Sequence, residues 1–151
     1  MAKFIFKMES ILVIKYKLED QAKIQYGLAI ERLRHEEEIL QHMIERKAGY
    51  EESLAAIMFE QLDLFKIKEL ENAIEVMKYK IVEQQVAVKN AELKVEAARM
   101  ELNDAMKERK IYERLKEKAF EEFKQEVQKE EQKEVDELVS FRFGNGKVSE
   151  D

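Results

Sequence analysis

The chain has almost nothing with which to turn. Its 151 residues include no proline and only four glycines: Gly27, Gly49, Gly144 and Gly146. Two of those fall in the last eight residues. A globular fold needs turn-forming residues at every reversal. The remainder is rich in Ala, Glu, Lys, Leu and Gln, with 40% of residues charged, the composition of long helices and coiled coils. An all-α protein built from very few, very long elements follows.

Apolar residues at alternating steps of three and four mark the face where such helices pair. In the second half one set of positions reads Ile74, Ile81, Val88, Val95, Leu102, Arg109, Lys116 and Phe123. Its companion set reads Leu70, Met77, Gln84, Ala91, Ala98, Ala105, Tyr112 and Ala119. Only Gln84, Arg109 and Lys116 interrupt this seam. The first half is looser. Ile11, Ile14, Leu18, Ala22, Tyr26, Ala29 and Leu33 drift around the helix before Leu40, Met43, Tyr50, Leu54 and Ile57 settle into heptads.

The two seams do not share a phase. Heptads continued past Ile57 would use positions 61, 64 and 68, whereas the second half uses 67, 70 and 74. That slip of one residue is about 100° around a helix. Between the seams lies LAAIMFEQLDLFKI (residues 54–67), apolar on every side. The slip and the cluster predict a reversal at about 58–63, with Asp63 as N-cap of the second helix. The fold expected is a single-domain, long antiparallel two-helix coiled-coil hairpin. Its helices span about 4–57 and 64–140, with a flexible tail at 144–151. One uninterrupted helix pairing in parallel with a second copy is the competing arrangement.

A reversal there makes the arms unequal, the second longer by roughly 30–35 Å. Folding about residue 61 sets Phe4 opposite about residue 118, so everything past Ala119 lacks an intrachain partner. QKEEQKE (residues 128–134) lies in this overhang and has no apolar residue.

Nothing in the sequence assembles a catalytic site, since two helices offer no water-excluding pocket. His35 and His42 are seven apart, not the spacing of a helical zinc motif, and read as solvated. GNGK (residues 144–147) lacks the first glycine and the hydroxyl residue of a phosphate loop. With no cysteine there is neither a disulfide nor a thiolate metal site. The expectation is no enzyme, no cofactor and no bound metal. A net charge of −6 of mixed sign argues against nucleic acid. No apolar run is long enough for a membrane span. The lysine-bearing N-terminus, MAKFIFKMESILVIKYK, leaves open a helix lying on a membrane surface.

Two apolar regions stand out instead. The reversal carries Ile57, Met58, Phe59, Leu62, Leu64 and Phe65, either packed into a small cap or exposed for a partner. The other end carries Phe4, Phe6, Ile11 and Leu12 together with Phe120, Phe123 and the apolar residues beyond Glu134.

Those ends resemble the flagellar export protein FliJ family. FIFKMESILVIKYKLEDQAK (residues 4–23) is similar to the family's start. RKIYERLKEKAFEEFKQEVQKEEQKEVDELVSFRF (residues 109–143) is similar to its end, with Glu131, Gln132, Lys133, Asp136 and Glu137 as the closing motif. The resemblance covers nearly the whole chain. It implies an antiparallel hairpin like the coiled coil of the rotary ATP synthase gamma subunit, monomeric when alone. It further implies a cytoplasmic stalk and chaperone of flagellar type III export, peripheral at the membrane when assembled at the flagellar base. The end holding both termini would enter the central hole of the hexameric export ATPase and promote its assembly and turnover. The remainder would reach towards the membrane export gate, and the protein would handle escort chaperones of export substrates.

Carried over by position, the resemblance places ATPase docking on Phe4, Phe6, Ile11, Leu12, Leu115, Phe120, Phe123, Gln132, Asp136 and Glu137. It places a gate contact near Ala73, Met77, Lys80 and Gln84, although Met77 and Gln84 also occupy seam positions. A stalk of a virulence-type secretion system is the nearest alternative, and a self-associating parallel scaffold the more distant one.

Overall fold

A computed structural model describes residues 2–60 and 63–148. Two helices pack against each other as a hairpin, α1 over Glu9–Glu60 and α2 over Leu64–Val148, with no strand among the described residues. The chain folds back on itself, as the phase slip predicts, and the continuous parallel helix is set aside. Positions 64 and 68, which would extend the first seam, are exposed, while Ile67 and Ile74 are buried and Leu70 half-buried. Asp63 caps α2: its Oδ1 accepts from the backbone N–H of Phe65 at 3.2 Å and of Lys66 at 3.4 Å. These are two of the amides that every helix start leaves unpaired.

The boundaries differ from those expected. α1 starts at Glu9 rather than about residue 4, because the chain turns at Lys7 and Met8, where the Phe6 carbonyl accepts from the Glu9 amide at 3.2 Å. At its other end α1 continues to Glu60 rather than 57. α2 reaches Val148 rather than about 140, so the expected tail is helical over 144–148, and 149–151 lie outside the described residues. Isolated glycines weaken a helix by only about 1 kcal/mol each and no proline stops this one.

All sixteen positions of the α2 seam are buried or half-buried. The α1 seam is corrected. Its half-buried positions run without drift through 12, 15, 19, 22, 26, 29, 33, 36, 40, 43, 47, 50, 54 and 57. Ile11, Ile14 and Leu18 sit one residue aside and are exposed. Leu12, Lys15 and Glu19 take their places.

The hairpin divides into two compact units, one formed by Met1–Glu19 with Ala105–Asp151 and the other by Asp20–Asp104. Within the second, α1 residues Gln25, Leu28, Ala29 and Arg32 share a groove with Ala91, Ala97 and Ala98 of α2. Alanine at those sites lets the two backbones approach closely. Deeper in the same unit Glu36, 7% exposed, accepts from Gln84 Nε2 through both its carbonyl oxygen at 2.9 Å and Oε2 at 2.5 Å, while Arg32 pairs with Oε1 at 2.9 Å.

Candidate functional site at the amino-terminal end

In the first unit the segment before α1 is extended, and it turns its aromatic side chains onto α2. Phe4 meets Phe120 edge-on at a centroid separation of 5.1 Å and Phe123 at 5.5 Å. Such tilted geometries suit the quadrupoles of the rings. Phe6 is buried, and Leu12, 2% exposed, is the most deeply buried apolar side chain described. Lys124 places its ammonium 4.6 Å from the Phe120 ring centroid, a cation–π contact at the rim.

One turn further in, the seam becomes polar. Glu19, 4% exposed, accepts from Arg109 through a bidentate fork, Nε at 2.6 Å and Nη2 at 3.2 Å. Arg109 Nη1 reaches Glu113 at 3.0 Å, and the Tyr16 hydroxyl donates to the same carboxylate. The Glu19 hydrogen bond raises the Arg109 guanidinium above its ordinary pKa, so its charge is permanent. Glu113 is held below the usual carboxylate range, first by the Tyr16 hydrogen bond and then by Arg109, against the opposing effect of desolvation. The bond to Glu113 likewise pushes Tyr16 up. Lys15 pairs with Glu108 at 3.1 Å and lies over the Tyr112 ring, and Glu9 pairs with Lys116 at 2.8 Å. From Phe4 through Glu9 to Glu19, partners on α2 recede from Phe120 through Lys116 to Arg109, the order of an antiparallel pair.

Beyond Val127 the seam ends. Every residue of α2 over 128–144 is exposed. Its polar side chains are satisfied locally, as where Gln132 donates to Asp136 at 3.1 Å. Val135, Leu138, Val139, Phe141 and Phe143 stand open to solvent.

The ten docking candidates therefore separate. Phe6 and Leu12 are core residues, and Phe4 and Phe123 are half-buried in the aromatic cluster. Ile11, Leu115, Phe120, Gln132, Asp136 and Glu137 present exposed side chains. All ten belong to this one unit. Of the gate candidates, Met77 is buried, Gln84 is tied to Glu36, Ala73 is half-buried and Lys80 is exposed. At the reversal Met58, Phe59, Leu64 and Phe65 are exposed, Phe59 to 94%; Ile57 is half-buried, and Leu62 lies outside the described residues. The sequence reading missed the Glu19–Arg109–Glu113–Tyr16 network. Its one visible trace was Arg109 interrupting an apolar seam.

Among the described residues no three His, Asp or Glu side chains converge as metal ligands, and no helix is long and apolar enough to cross a membrane. The fold and this end define a class: an antiparallel helical hairpin whose second helix runs on, exposed, past its partner's start. The chain belongs to the flagellar FliJ protein family, whose model matches residues 4–147, and it is an export-related protein of the flagellum. No curated protein and no solved structure matches it.

Proposed function

We propose that this protein is the cytoplasmic stalk of the flagellar export ATPase, entering the hexameric ring with the end that carries Phe4 and the exposed length of α2. On this reading it promotes ring assembly and turnover, handles escort chaperones of export substrates, and performs no catalysis of its own. The observation that carries the reading is the exposed stretch over 128–144, which packs on nothing in the chain yet keeps apolar side chains at 135, 138, 139, 141 and 143. A stiff, charged helix with few apolar contacts suits an axle that must rock inside a ring. A wholly apolar shaft would be held in one pose. Added to the cognate ATPase, the chain should raise ATP hydrolysis several-fold near stoichiometric ratios; a folded sample that leaves the rate unchanged sinks the reading.

The gate contact belongs to the outward face of early α2. Met77 and Gln84 are engaged with α1, so beside Lys80 the available side chains are Val76, Tyr79, Val82 and Val86, all exposed. Tyr79→Asp with Val86→Asp should weaken binding to the gate's cytoplasmic domain at least tenfold while ATPase stimulation stays intact. Unchanged gate binding would move the contact elsewhere.

A further inference from the structure

The seams of α1 and α2 both repeat every seven residues. Sliding one helix past the other by a heptad therefore returns apolar side chains to apolar side chains at most levels. Apolar burial alone discriminates poorly between such alignments. The polar seam residues do not repeat. We propose that the two buried polar pairs, Glu19 with Arg109 in one unit and Glu36 with Gln84 in the other, are register locks that exclude the heptad-shifted hairpins.

The substitution pattern along α2 makes the case. A slide of seven residues brings either Met77 or Ala91 to Glu36, and neither can donate a hydrogen bond. The same slides bring Leu102 or Lys116 to Glu19. Only the second offers a partner, and in that alignment Glu36 faces Ala91. Every alternative thus strands at least one buried carboxylate, which is strongly disfavoured. In the observed alignment no described buried side-chain nitrogen or oxygen lacks a partner. Arg109 matches Glu19 with a planar fork that a lysine could not reproduce. Buried pairs of this kind add little stability over apolar residues of similar size, and their best-attested use is to fix alignment. The alignment also sets where α2 loses its partner, and so where the exposed stretch after Val127 begins. A one-heptad slip would move that point by about 10 Å along the helix.

The chain has no cysteine, so two can be introduced for spin labels without competition. Lys17→Cys and Gln128→Cys are exposed and lie in one unit, well staggered along it. The otherwise unaltered chain should give one interlabel distance by pulsed electron–electron resonance. Replacing Glu19, Arg109, Glu36 and Gln84 together by leucine should leave helicity and melting temperature equal or higher. A second distance, displaced by about 10 Å, should appear. A single unchanged distance overturns the proposal. So does loss of helicity, because the pairs would then supply stability rather than selection. Conversion to a dimer overturns it too, since the pairs would then choose partner number.

Discussion

Cut after Ala119, the chain should no longer accelerate its ATPase, and hydrolysis should return to the rate of the enzyme alone. That cut removes the whole exposed stretch, but it also strips Phe120 and Phe123 from Phe4. A second cut after Val127 separates the two effects. It leaves the aromatic cluster, Leu12 and the Glu19–Arg109 pair in place and deletes only residues that bury nothing. Its melting curve should overlay that of the full chain, because a polar helix without a partner is marginal by itself and stabilises nothing it does not touch. Stimulation should still fall to baseline. If the Val127 cut stimulates fully while the Ala119 cut does not, docking rests on the aromatic cluster. Full stimulation by both removes this end from the ATPase altogether.

How the two halves of the sequence differed in legibility comes down to a few side chains. α2 could be read because only Gln84, Arg109 and Lys116 break its seam, and the reversal because the two phases disagree by one residue. The phase of α1 was hidden. Lys15, Glu19, Glu36 and Lys47 occupy inward positions, while Ile11, Ile14 and Leu18 stand beside the seam and imitate it. A charged residue turns inward only where its partner waits, and that partner lies about 50–90 residues away in sequence (Gln84 for Glu36, Arg109 for Glu19). Pairing of this kind leaves no mark on local periodicity. The extended aromatic start was hidden likewise, because Phe4 and Phe6 gain more by packing on α2 than by continuing α1. Within the candidate site the resemblance named ten residues by position, but it could not separate Phe6 and Leu12, which hold the end together, from Ile11 and Leu115, which face out.

That separation yields the largest stability contrast between neighbours. Leu12→Ala should destabilise the hairpin by about 2–3 kcal/mol, the lower part of the range for buried leucines, because a two-helix seam can partly close over the gap. In a chain of this length that is a fall in melting temperature of roughly 5–10 °C. Ile11→Ala, one residue earlier and 38% exposed, removes a similar number of methyl and methylene groups from a face already in water. It should cost under about 1 kcal/mol. Thermal melts by circular dichroism at 222 nm measure both. Had α1 followed the drifting phase, with Ile11, Ile14 and Leu18 inward, the order would invert. Equal losses would mean that α1 rolls between the two phases near its start, with neither isoleucine nor leucine committed to the seam. The Leu12 variant should keep its stimulation of the ATPase below its melting temperature, since the outward residues of the same unit are untouched. Loss of stimulation from a fully folded Leu12→Ala sample would make this side chain a docking contact, not a core one.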